Sequence, residues 1–233
     1  MSPQHRLVIA IDGPSGTGKS TVARWIAQDL GLSYLDTGAN YRAATLWCMK
    51  SGLDLAHPDT VETKSITDLI TTMPLAQDLN PNSVSLALDG QDITDAIRTE
   101  EVTANVSVLS TRPQVREHLV RLQRQVIEAR PRIVVEGRDI TTVVAPDAEA
   151  RILLTASPDV RLARRGQQLR ETQQDPSNVA SDVLERDAKD SALVDFMKPA
   201  DGVTEIDSTN LSLEDTVTVV MAEIQRQLNA SGS

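Results

Sequence analysis

The stretch 7-LVIAIDGPSGTGKST-21 decides how the rest of the chain is read. Residues 6–11 form an apolar, β-branched run of the kind found in strands buried on both faces, and Asp12-Gly13-Pro14 stops it. The next residues satisfy the pattern G-x-x-x-x-G-K-[ST] with Gly13, Gly18, Lys19 and Ser20. A helical pattern opens at Lys19 and runs to about Leu30, with Gly31 in the position that ends helices. Strand, glycine loop and helix in that order make an anion cradle. Glycines let the backbone wrap a phosphate closely, and the amides of the loop and of the helix start present partial positive charge to it. The candidate nucleotide-binding residues are therefore Gly13, Pro14, Ser15, Gly16, Thr17, Gly18, Lys19, Ser20 and Thr21. Lys19 is placed to reach β and γ phosphates, and the Ser20 hydroxyl to hold Mg²⁺.

Working outward, strands and helices alternate. A short strand at 33–35 feeds Asp36-Thr37-Gly38 and a second helix ending near Ser51-Gly52, and later strands fall at 132–136, 150–155 and 203–207. This alternation predicts an α/β fold, a doubly wound parallel sheet of about five strands. Between residues 54 and 98 the pattern changes. A helix at 60–72 precedes 83-SVSLALDGQDIT-94, whose alternation around Asp89-Gly90 predicts a β-hairpin. A hairpin does not belong to a parallel core, so 54–98 reads as an insertion beside the sheet within a single domain spanning 1–233. Helical patterns cover 99–110, 113–129, 158–172, 178–192 and 212–228, and 229-NASGS-233 reads as a disordered tail. Val115, Leu119, Leu122 and Val126 recur at helical spacing and mark a core face.

Composition narrows the function. The 233 residues include 33 acidic and 23 basic side chains, a formal net charge of −10, which disfavours nucleic acid as a partner. Aromatics are 2 %, so the core must be aliphatic. Cys48 is the only cysteine, and His5, His57 and His118 lack zinc-ligand spacing, so neither a disulfide nor a thiolate metal cluster is available. The run 7-LVIAI-11 is too short for a membrane span or a signal-peptide core. These features point to a cytoplasmic protein with no membrane partner, and the lack of a sustained heptad to a monomer. The guanine-reading pattern N-K-x-D and the transporter pattern L-S-G-G-Q are absent. A small P-loop kinase remains, with ATP as phosphoryl donor and Mg²⁺ as its cofactor.

The acceptor is addressed by other loops. In a doubly wound sheet the loops at the carboxyl ends of strands converge on one crevice. Arg42 in 36-DTGANYR-42 and Arg138 in 136-EGRD-139 come to it from different strands, and two arginines suit a second phosphate. Asp36 is placed either to orient a Mg²⁺-bound water or to cap the helix that follows. The cluster 161-RLARRGQQLR-170 puts Arg161, Arg164 and Arg165 close enough to share a helix face. On composition alone that face is as well read as solvated surface. Ser107 alone reads as a helix-surface residue, and Arg186 with Asp190 as an i,i+4 ion pair.

Six motifs in order, 12-DGPSGTGKST-21, 36-DTGANYR-42, 97-IRTEEV-102, 137-GRDITTVVAPDA-148, 186-RDAKD-190 and 207-DST-209, make the chain resemble the bacterial-type cytidylate kinases over nearly its whole length. The resemblance implies the P-loop kinase fold, with 54–98 as the nucleoside-monophosphate-binding insertion and 158–178 as a short helical lid. It implies transfer of the γ-phosphoryl group of ATP to CMP or dCMP. Lys19, Arg42, Arg138, Arg161 and Arg165 are then the candidate catalytic residues. Thr37, Arg42, Ser107, Arg116, Arg138, Asp139, Arg186 and Asp190 become candidate acceptor contacts. Asp139 would accept from the cytosine amino group, a donor that uracil lacks. Three departures stand out against the family pattern: Thr141-Thr142 replaces Gly-Thr, Ala145 replaces Phe, and Leu193 stands where an acceptor-binding arginine is usual. Leu193 keeps open a non-catalytic nucleotide-binding protein, and a third reading is a kinase for another small acceptor. A panel of acceptors separates the three.

Overall fold

A computed structural model describes residues 6–171 and 197–231 of the chain. Five strands form one parallel sheet: β1 (Leu7–Asp12), β2 (Ser33–Asp36), β6 (Arg132–Gly137), β7 (Ala150–Thr155) and β8 (Thr204–Asp207), in spatial order β2-β6-β1-β7-β8. β1 is central because it is apolar at nearly every position. Val8 and Ala10 face one layer of the core while Ile9 and Ile11 face the other. On the second face lie α1 (Lys19–Asp29) and α7 (Leu213–Ser231), which bury Val22, Ile26, Val220 and Ile224. The first face is covered by α5 (Pro113–Ala129) through Val120 and Ile127. The sheet is thus wound on both sides, as expected.

Parallel pairing sets the function-bearing ends side by side. The register places Asp12 opposite Gly137, Asp36 opposite Glu136, and Thr155 opposite Asp207. The loops after β1, β2, β6 and β7 therefore open onto one edge, at the point where the chain reverses its direction of winding.

Residues 54–98 carry no strand of this sheet. They hold α3 (Thr63–Thr71) and a separate antiparallel sheet of β3 (Leu75–Asp78), β4 (Ser85–Leu88) and β5 (Gln91–Asp92). Asp89 and Gly90 join β4 to β5 with φ of 48° and 74°, the two positive values that a tight hairpin turn needs. The hairpin expected at 83–94 is present, but its partner β3 was not anticipated. Leu75-Ala76-Gln77-Asp78 is too short to show alternation, and one of its inward positions is the polar Gln77, which accepts from the Asn40 amide at 3.0 Å. Leu86 and Leu88 pack with Ala39 and Ala43 of α2 (Thr37–Lys50). α3 and α4 (Glu100–Ser110) share a further core with Cys48, Val115 and Leu119.

Two other expectations change. Of the face proposed on α5, Val115 and Leu119 are fully buried, whereas Leu122 and Val126 are only partly so. Residues 229–231 are helical rather than disordered, because nothing before Gly232 breaks the helix. That helix begins with a reciprocal cap, in which the Asp215 amide donates to Ser212 Oγ (3.0 Å) and the Ser212 hydroxyl donates to Asp215 (2.8 Å). The helix expected at 178–192 lies outside the described residues, as does the last part of the 158–178 lid.

Candidate active site

The loop between β1 and α1 holds a tight shape by its own bonds. Thr17 Oγ1 donates to the Pro14 carbonyl at 3.1 Å, and Lys19 Nζ reaches the same carbonyl at 3.4 Å. Gly16 has φ of 82°, and a Cβ there would lie 2.5 Å from the Arg161 carbonyl, so the position needs glycine twice over. α1 starts with Gly18 as its cap, with no capping side chain and no acidic residue in the first turn. Its first amides are thus left for an anion rather than answered from within the helix.

A group of carboxylates stands beside the loop. Ser20 Oγ donates to Glu136 Oε1 at 2.6 Å, and the Tyr34 hydroxyl donates to the same oxygen at 3.2 Å. Glu136 is 2 % exposed, and burial, reinforced by the neighbouring Asp36, pushes its carboxyl up to about 7. Asp36 caps α2, its Oδ1 accepting from the Ala39 amide at 2.9 Å. The helix-capping reading is therefore the one whose bond is seen. Ser20, Glu136 and Asp36 supply only hard oxygen donors, which fits Mg²⁺ and disfavours softer metals. Asp12, 2 % exposed at the end of β1, is raised to about 6 by burial, against the hydrogen bonds that hold it charged.

The remaining wall carries the acceptor candidates. Arg42 on α2 donates to the Ile97 carbonyl (3.2 Å) and to Thr103 Oγ1 (2.7 Å), which aims its guanidinium along the crevice. Arg116 on α5 pairs with Asp139 at 2.5 Å, both largely buried, and also donates to the Ser110 carbonyl. Thr37 Oγ1 donates to the Glu136 carbonyl at 2.9 Å. All of these line one crevice of about 670 Å³ with the phosphate loop, Arg138 and Arg165. Seven cationic side chains (Lys19, Arg42, Arg98, Arg116, Arg138, Arg164 and Arg165) face three carboxylates (Asp36, Glu136 and Asp139) there. In a chain of net charge −10, that inversion marks a place for phosphates.

Some sequence-level candidates sit elsewhere. Ser107 does not line the crevice; its carbonyl receives the Thr111 hydroxyl at 2.7 Å, while Val106 and Ser110 of the same helix do line it. Arg161 is 3 % exposed, and its NH1 donates to the Ser15 carbonyl at 3.1 Å, beneath the loop rather than in the crevice. The cause is the start of α6 (Pro158–Glu171) directly after β7, which presses its first turn against the phosphate loop. Arg164 braces that loop too, bonding the Thr17 and Ser208 carbonyls at 3.2 and 2.9 Å, and it also reaches the crevice wall. Arg165 lines the crevice as well. Arg186, Asp190 and Leu193 lie outside the described residues. Sequence reasoning passed over Arg98, Ser110 and Glu136, and gave Arg164 no role of its own within the arginine cluster. Glu136 carried a signal, a carboxylate ending an otherwise apolar strand, whereas Ser110 carried none.

The chain is similar to known proteins along nearly its whole length. The family described as cytidylate kinase matches residues 9–226. A cytidylate kinase from Rhodococcus opacus is 45 % identical over 214 residues, covering 91 % of each chain. Those of Nocardia farcinica (41 % over 236 residues, all of both chains) and Streptomyces griseus (41 % over 221 residues, 94 % of this chain and 93 % of the relative) are similar along the same length.

Proposed function

The chain belongs to the cytidylate kinase family, and we propose from that premise how its crevice transfers the γ-phosphoryl group of ATP to CMP or dCMP. The observation that carries the reading is a single crevice holding both a phosphate loop and a separate set of acceptor groups, Arg42, Arg116, Arg138 and Asp139. The amides of residues 13–20 and Lys19 hold the donor phosphates. Arg42 and Arg138 hold the phosphate of the acceptor, each able to meet two oxygens at once. Asp139 accepts from the N4 amino group of cytosine, and Arg116 keeps that carboxylate charged and aimed. UMP offers an oxygen where CMP offers that donor, so it meets carboxylate against carbonyl and is refused.

Ser20 would hold Mg²⁺ directly, with Glu136 and Asp36 beside it. The ion supplies charge neutralisation of the donor phosphates. Everything else is alignment. The acceptor phosphate is already anionic at neutral pH, so no general base is required, and the protein's work is to keep the acceptor oxygen in line with the γ-phosphorus and water away. Arg165, which lines the crevice from α6, is placed to add charge as the lid region 158–178 closes. Residues 54–98, which reach the crevice through Arg98, act as its acceptor-binding insertion. Exposed large apolar side chains among the described residues are Trp25, Met197, Leu213 and Val219. That sparse set supports a monomer, which gel filtration checks.

ADP release with ATP, Mg²⁺ and each nucleoside monophosphate in turn tests the assignment. CMP and dCMP should turn over well above UMP and AMP. ATP binding without turnover on any acceptor would remove the kinase reading.

A further inference from the structure

The donor and acceptor loops are tied together by one buried carboxylate. Asp12 is the residue immediately before Gly13 of the phosphate loop. Its Oδ1 accepts from the Ile140 amide at 2.8 Å. Its Oδ2 accepts from both the Thr141 amide at 2.8 Å and the Thr141 hydroxyl at 2.6 Å. Beside this clasp the Gly13 amide donates to the Gly137 carbonyl at 3.3 Å. The segment held in this way, Ile140–Val144, is a single π-type turn, with the Ala145 amide bonded to the Ile140 carbonyl at 2.8 Å. At its far end Arg124 of α5 donates to the carbonyls of Val143 and Val144. A carboxylate thus meets the amide end of the turn and a cation meets its carbonyl end, the arrangement that a short helical dipole favours. Arg138 and Asp139 are the two residues directly before the clasp.

We propose that Thr141 is a positioning residue for acceptor recognition, acting through Asp12 to hold Arg138 and Asp139 in register with the phosphate loop. The proposal rests on the reading of this crevice as a CMP kinase site. Thr141 is itself buried, and its hydroxyl makes the shortest of the three bonds to Asp12. Without it, slack in the loop falls on 138–139, because Arg124 still anchors the other end. The donor phosphates are held by residues 13–20 and would feel little of it. Loss of the hydroxyl should therefore raise the KM for the acceptor and spare that for ATP.

The test is steady-state kinetics of wild type, Thr141→Val and Thr141→Ser with CMP and UMP at saturating ATP, and with ATP at saturating CMP. Thr141→Val should raise the KM for CMP about ten-fold, the worth of one hydrogen bond to a charged group. Its kcat should stay within about three-fold, its KM for ATP within about two-fold, and its preference for CMP over UMP should narrow. Thr141→Ser should return all of these to near wild-type values. An unchanged KM for CMP in Thr141→Val overturns the proposal. So does an equal loss on both substrates that serine fails to repair, because that is a folding defect. If Thr141→Val does not fold, Thr141→Ala, which also lacks the hydroxyl and adds no bulk, takes its place. It should raise the KM for CMP about ten-fold at constant KM for ATP, and no change would count equally against the idea. Wild type that fails to turn over CMP would instead sink the parent reading, and the proposal with it.

Discussion

The two halves of the crevice are built in opposite ways. The donor half is nine consecutive residues, 13–21, shaped by their own hydrogen bonds and by one helix start. The acceptor half is gathered from α2, α4, α5, the turn before α4 and the loop after β6, which contribute Arg42, Ser110, Arg116, Arg98 and Arg138 with Asp139. A local cradle works through backbone amides, which no side-chain change removes. A gathered site works through side chains whose aim depends on other side chains, as Arg116 aims Asp139 and Thr103 aims Arg42. The donor half should therefore be hard to perturb except at Lys19. The acceptor half should be sensitive at many points.

The largest expected effect tests the donor half at Lys19, its one charged side chain. Lys19→Ala should lower kcat by about 10²–10³-fold, as for loss of a single group that stabilises transition-state charge. Binding of CMP, followed by calorimetry, should be little changed. If CMP binding fell as far as turnover, the two halves would not be separable. Next comes Asp139→Asn. It replaces the charged acceptor of the cytosine amine with a neutral amide and breaks the ion pair with Arg116. The kcat/KM for CMP should drop about ten- to a hundred-fold, with KM for ATP steady. Equal losses for CMP and UMP would show that Asp139 supports the loop without reading the base.

Two smaller effects concern what joins the halves. Asp12 is pushed up to about 6 by burial, so the folded chain holds its proton more tightly than the unfolded chain does. Its contribution is fully present below the unfolded value near 4 and is lost as pH rises through about 6, on the order of 3 kcal/mol in all. Melting temperature followed from pH 4 to 7 should carry this downward slope together with that of Glu136, raised to about 7 by burial, and Asp12→Asn should reduce the slope without abolishing it; an identical slope in the variant would discard the assignment. Arg161→Met should cost roughly 1–3 kcal/mol of stability, because it leaves the Ser15 carbonyl without its donor. Arg165→Ala should leave the melting temperature nearly unchanged and act on kcat alone. The reverse result for that pair would put Arg161 in the reacting site after all.

Legibility followed the same division. The phosphate loop was readable residue by residue, because strand, loop and helix start are neighbours in the chain and each has its own local signature. The hairpin turn at Asp89-Gly90 was readable for the same reason. Arg161 was not, since three arginines at helical spacing share a face whichever way the helix is turned. Only the packing of α6 on Gly16 shows that Arg161 is buried against the phosphate loop while Arg164 and Arg165 reach the crevice. Ser107 and Ser110 differ by less than one helical turn on α4, and nothing in the composition of that helix tells which of them meets the acceptor wall.

By itself the sequence determined the five strands of the parallel sheet, the phosphate cradle and, through its motifs in series, the family. Each of these depends on period, on turn chemistry or on a handful of adjacent residues. The tertiary structure alone decided which side chains share the crevice, that Glu136 stands against Ser20, and that Thr141 closes on Asp12 across more than a hundred residues of chain. Those pairings arise from strand register and helix rotation. Both are set by how the two faces of the sheet are covered, and neither leaves a trace in the local pattern.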